Sequence, residues 1–114
     1  FIFENIIAYK KALILVNDVY KTTQLWPKQE IYALTDQLRR ASFSIALNIA
    51  EGSSRTRKEF RHFLDIARGS CFEYIAIITI AKNQAYLSNN SFSSLYNKIE
   101  ELTKIIQGLK NSLH

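Results

Sequence analysis

Phe92, Leu95, Ile99, Leu102, Ile106, Leu109 and Leu113 recur at strict intervals of three and four. That spacing sets them on one narrow stripe of an α-helix, and such a seam favours packing against other helices at shallow angles. Asn97, Lys98, Glu101, Lys104 and Lys110 fall off the stripe and can stay in solvent. A chain that ends this way needs partner helices, and the preceding residues supply them.

A first helix is predicted over residues 5–25, with Ile6, Tyr9, Leu13, Val16 and Tyr20 at helical spacing. Trp26-Pro27 ends it, because the residue before a proline is driven out of the helical region. Pro27 then suits the first turn of a second helix over 28–51, with Gly52 as its left-handed cap. Thr56 and Glu59 have the spacing of a capping box, in which each side chain satisfies the other's free backbone amide. That box opens a third helix over 56–85. Ser88-Asn89-Asn90-Ser91 is the last break, rich in residues that hydrogen-bond their own backbone, and a fourth helix spans 89–112.

With 3 Gly and 1 Pro in 114 residues there is little material for strands, tight turns or linkers. Short connections between long helices make neighbours antiparallel. The expectation is an all-α fold, residues 1–114 forming a single antiparallel up-down-up-down four-helix bundle domain. The third helix, roughly 45 Å long at about 1.5 Å per residue, outruns its partners. Between Phe72 and Ala81 it is apolar over more than one face, which predicts self-association.

The formal charge is +5, and the pI near 9.4 leans toward an anionic partner. Cys71 is the only cysteine, so no disulfide can close within the chain, in keeping with a reducing cytoplasm. Among Phe72, Tyr74 and Ile75 it reads as a buried, inert thiol. The longest apolar run, Tyr74 to Ala81, falls far short of the roughly 20 residues a spanning helix needs, so no membrane partner is expected. Glu4, Lys10 and Lys11 interrupt the N-terminal apolar stretch, which argues against a signal peptide there.

Tyr32, Leu34, Gln37, Arg39, Arg40, Ala41, Ser44, Ile45, Asn48 and the run Ile49-Ala50-Glu51-Gly52 form a recognisable signature. Phe60, Phe63, Leu64, Ala67, Gly69, Ser70 and Glu73 continue it. The chain resembles the bacterial four-helix bundle proteins often encoded within 23S ribosomal RNA intervening sequences, some labelled ribosomal-protein-like. The resemblance implies a closed homo-oligomeric ring, a pentamer, and a distant relationship to the basic accessory variability protein of diversity-generating retroelements. It brings no catalytic residues and no cofactor. Phe43 stands where the family often has a small residue, and Ala85-Tyr86-Leu87 replaces a usual Gly-Tyr-Leu.

Two constellations stand out. Gln37, Ser44 and Asn48 are polar residues on or beside the inward stripe of the second helix. Folding the second and third helices about Ser53-Ser54 sets Gln37 near Ser70 and Glu73, Arg40 near Glu73 or Arg68, and Asn48 near Glu59 and Phe60. It also sets Gly69 against the second helix opposite Leu38 and Ala41. The set reads as a structural hydrogen-bond network; a small site with Glu73 as acid or base is the alternative. The other constellation is basic: Arg55, Arg57, Lys58 and Arg61 are set against Glu59 alone, with Arg39, Arg40 and Arg68 further along the same helices. Phosphate recognition needs mobile surface cations of this kind, although a merely solvated charge run has the same composition.

His62 and His114 are the only histidines, and neither falls in a metal-binding spacing, so no metal is expected. The aromatics Tyr9, Tyr20, Tyr32, Phe60, Phe63, Tyr74 and Tyr96 could stack on single-stranded bases, but most fall in helical stripes and read as core or interface, with Trp26 capping one bundle end and exposed enough to touch a partner. The reading is a non-catalytic oligomeric bundle that binds structured RNA or a ribonucleoprotein through the basic turn. A protein-interaction scaffold without a nucleic-acid role is the alternative.

Overall fold

A computed structural model describes residues 2–113. After a short 3-10 turn at Ile2–Asn5 come four helices: α1 (Ile7–Thr23), α2 (Leu34–Ser53), α3 (Arg57–Asn83) and α4 (Asn89–Asn111). Among the described residues there is no strand. The molecule is a four-helix bundle in which α1 and α3 each touch α2 and α4 but not one another. Its long dimension is 43 Å, so α3, at 27 residues and about 1.5 Å per residue, runs almost its whole length. Among the described residues no helix is long and apolar enough to cross a membrane.

The α4 seam faces inward as its spacing predicts: Leu95, Ile99, Leu102 and Ile106 are each 4% exposed or less, and Phe92, Leu109 and Leu113 are partly buried against the core. Each such side chain stabilises the fold by about 1.5–3 kcal/mol. They meet Leu38, Ile45 and Ile49 of α2 and Leu64, Cys71, Tyr74 and Ile78 of α3 in one core. Cys71 is fully buried, and burial pushes its thiol up to about 11 against the smaller opposing pull of Thr103 and Arg68. That is the inert thiol expected.

Helix α1 is turned from its predicted phase. Its buried stripe is Ala8, Ala12, Leu15, Val19 and Thr23, while Leu13 and Tyr20 stand partly in solvent. The helix is apolar over a wide arc, so periodicity leaves the phase open. Packing selects the side carrying the two alanines, whose small side chains let neighbouring helices approach.

Helix α2 begins at Leu34, not at residue 28. Lys28–Glu30 forms a 3-10 turn, and 31–33 continue as a turn closed by Ala33 N–H donating to the Glu30 carbonyl at 3.0 Å. Ile31 is 47% and Tyr32 95% exposed, so no burial holds this stretch in a helix; inward-facing residues resume only at Leu34 and Thr35. Trp26, by contrast, is 6% exposed, with its ring 6.1 Å from that of Tyr86. It closes the bundle end from inside and offers no surface to a partner.

Gly52 is not a left-handed cap. It lies within α2, and no glycine has positive φ. A Cβ there would lie 2.6 Å from the Phe63 Cβ and 2.8 Å from Phe60 Cδ1, so glycine is required by the close approach of α3. Gly69, expected to serve that purpose, is exposed and would meet nothing within 4 Å. The left-handed residue is Ala85 at φ 64°. Its N–H donates to Lys82 O and that of Tyr86 to Ala81 O, each at 2.9 Å, the pair of hydrogen bonds of a Schellman cap.

Candidate nucleic-acid interface

The turn between α2 and α3 is shaped by its caps. Thr56 Oγ1 accepts the Glu59 N–H at 3.2 Å, and Glu59 Oε1 accepts the Thr56 N–H at 3.4 Å. These bonds are the predicted capping box. The Thr56 hydroxyl, then the Thr56 amide, hold the Glu59 carboxyl below its ordinary range, with a smaller contribution from Arg55.

The cations around this turn divide by what they touch. Arg55 is bound to the Glu51 carboxylate, lies 3.9 Å from Glu59, and stands 5.5 Å from the centre of the Phe63 ring. Arg61 reaches across to α4 and donates to the carbonyls of Lys110 at 3.2 Å and Leu113 at 3.3 Å. There it satisfies the free carbonyls of a helix end, where a cation is favourable. Arg57 and Lys58 are exposed and make no ion pair among the described residues. They alone of the turn's basic residues are uncommitted to the fold.

The expected flank is likewise divided. Arg39 Nε donates to Thr23 Oγ1 at 3.1 Å while its guanidinium covers the Tyr20 ring at 4.7 Å, so it ties α2 to α1. Arg40 is exposed and paired with Asp36 one turn back at 3.0 Å. Arg68 is half-buried over the Phe72 ring, its Nε buried without an acceptor among the described residues. Only Arg40 shares the surface character of Arg57 and Lys58.

The polar set closes in a different register from the one expected. Ser70 Oγ donates to Ser44 Oγ at 2.8 Å, and Asn48 Nδ2 donates to the Ser44 carbonyl and hydroxyl at 2.7 and 3.0 Å. Ser70 thus meets Ser44 rather than Gln37, about two helical turns along α2. The turn spans Ser54 to Thr56, further along than the Ser53-Ser54 pivot, which moves the pairing by only about three residues; the rest of the offset is a slide of α3 along α2. Gln37 and Glu73 are both exposed and outside the network. Ser44, Asn48 and Ser70 cross-link α2 to α3, and no carboxylate joins them. His62 is exposed, its ring against Phe63; His114 lies outside the described residues.

The model of the 23S rRNA-intervening sequence protein family matches residues 4–108. The chain belongs to that family. A similar solved structure is that of a protein of unknown function from the S23 ribosomal protein family of Bacteroides thetaiotaomicron VPI-5482. It has a TM-score of 0.82 at 23% identity, covering 91% of this chain and 98% of the other, and so shares the fold. No curated protein matches the chain. The resemblance, specific over residues 32–73 and carried by pattern in the first and fourth helices, agrees with this match, which takes in α1 and most of α4.

Proposed function

We propose that this protein is a non-catalytic, homo-oligomeric helical bundle that binds structured RNA through the α2–α3 turn. The observation that carries the reading is the position of Arg57 and Lys58. They occupy the first turn of α3, exposed and without ion pairs among the described residues. Cations are disfavoured at the positive end of a helix, where anions gain about 0.3–1 kcal/mol each. A phosphate docked at the turn reverses that penalty and draws on both side chains. Arg55 adds to the field once released from Glu51, and Arg40 flanks it on α2. Arg39, Arg61 and Arg68 serve the fold. The family's link to 23S rRNA in its name agrees with an RNA partner.

The helices in this reading alternate up-down-up-down. Gly52 lies against Phe63 and Ser44 against Ser70, while Lys11 pairs with Glu101 and Asp18 with Lys98. In each case the numbers rise along one helix as they fall along the other. The oligomer is a closed ring, a pentamer, that repeats the basic turn by symmetry and multiplies a modest charge. The site needs neither metal nor cofactor, and the fully buried thiol of Cys71 suits the cytoplasm.

Fluorescence anisotropy with a labelled structured RNA at about 50 and 200 mM salt tests the reading, since phosphate contacts make affinity fall steeply with salt. Tight binding at low salt, lost at high salt and in an Arg57→Ala/Lys58→Ala variant, is expected. Binding that ignores both salt and the double substitution would overturn it. A protein-interaction scaffold is favoured instead by Ile66, Phe72 and Ile80 of α3, which are 40%, 53% and 49% exposed. In that case the same double variant assembles and captures its protein partner unchanged.

A further inference from the structure

Far along the chain from the basic turn, the end of α1 and the start of α4 border an open cleft of about 410 Å³. One wall is polar: Lys21, from the last turn of α1, with Ser88 and Ser91 from the α4 start. The Ser88 hydroxyl oxygen accepts the Ser91 N–H at 3.0 Å, which leaves its proton free to donate outward. Lys21 makes no ion pair among the described residues, and no carboxylate lines this cleft.

The other wall is apolar. Leu25, 88% exposed, lines it together with Tyr86 and Leu87, and the Tyr86 ring centre lies 6.1 Å from that of Trp26. A second, shallower hollow of about 180 Å³ continues the cleft along α4. It shares Lys21, Thr22 and Ser91, and its single carboxylate, Asp18, is held by Lys98 at 2.8 Å.

We propose that this cleft holds one unpaired nucleotide of a bound RNA strand, its phosphate against Lys21, Ser88 and Ser91 and its base against Leu25 and Tyr86. The inference rests on the RNA reading for its ligand but not on the α2–α3 turn for its geometry. An ammonium with hydroxyl donors matches one phosphodiester. An aromatic ring and an exposed leucine lining the same cleft match the face of a base, which is sequence-tolerant because every base has one. An acidic peptide would need several cations in succession, and the cleft offers one. The hollow along α4, with Ser94 and the Lys98–Asp18 pair, gives the strand a path onward.

The test is an NMR titration of the isotope-labelled chain with a short single-stranded oligoadenylate, with inorganic phosphate and an acidic peptide run separately. The oligoadenylate is expected to shift the amides of Thr22, Ser88 and Ser91. Lys21→Glu removes those shifts and lowers the slope of log affinity against log salt by about 0.7, one single-strand phosphate. Leu25→Ser weakens the oligoadenylate while leaving the response to phosphate unchanged. Both side chains are exposed, so both variants fold. Shifts confined to the α2–α3 turn, with Lys21→Glu binding as tightly as the parent, would overturn the cleft and leave the RNA reading standing. Occupation by the acidic peptide and not by the oligoadenylate would overturn the ligand.

Discussion

Ala85 is held at φ 64°, a left-handed conformation that costs an L-residue roughly 1–2 kcal/mol. The cap leaves it no choice, because the Ala85 and Tyr86 amides both turn back onto α3. Ala85→Gly is therefore expected to stabilise the protein by about 1 kcal/mol after glycine's own entropic cost, read as a higher urea midpoint. Gly52→Ala acts in the opposite sense. Its new methyl would press on the Phe63 Cβ and the Phe60 ring, and overpacking of this kind costs about 1–3 kcal/mol. Tyr74 is fully buried with a hydroxyl that finds no partner among the described residues. Burial, then Asp18 and Cys71, push its pKa up. Tyr74→Phe loses no protein hydrogen bond, so stability is expected to hold within about 0.5 kcal/mol or rise; a loss of several times that would show the hydroxyl to be bonded.

At the scale of the element, the start of α3 matters most. Thr56→Ala removes the side-chain acceptor for Glu59 N–H, and losses of this type cost about 1 kcal/mol. The same substitution changes the pH profile. Glu59 has its pKa lowered in the folded state, so its contribution is complete above the ordinary carboxylate range and disappears as pH falls through the lowered value. Unfolding midpoints of the parent should thus fall on acidification more steeply than those of Thr56→Ala. Periodicity located all four helices, yet it misplaced the phase of α1 and the start of α2. A helix apolar over a broad arc has several acceptable phases, and a turn of exposed residues such as Ile31 and Tyr32 carries no signal that distinguishes it from a helix end.

The whole molecule presents apolar side chains that one chain alone does not cover. Phe72 and Ile80 on α3 remain half in solvent although the core is complete. If assembly uses this face, Phe72→Glu with Ile80→Glu yields a smaller species by sedimentation, with helical circular dichroism unchanged. An unaltered assembly would move the interface elsewhere. The candidate RNA surface was half legible at this scale. Arg57 and Lys58 were named from charge alone and are the available cations, whereas Arg39 and Arg61 were named on the same grounds and are engaged in tying helices together. Charge in a sequence does not reveal which cations the fold consumes.

By itself the sequence determined what depends on neighbours a turn or so apart: four helices, the buried seam of α4, the Thr56–Glu59 box and the family signature. Those are properties of spacing and local hydrogen bonding, which the chain carries before it folds. The tertiary structure alone decided that Gly52 rather than Gly69 permits close approach, that Ser70 meets Ser44 rather than Gln37, and that Lys21 and Ser91 share a cleft. Each of these depends on how far one helix slides and turns against another. A shift of two turns keeps a helix's apolar stripe facing inward, so the hydrophobic pattern permits either register and only the packed side chains choose.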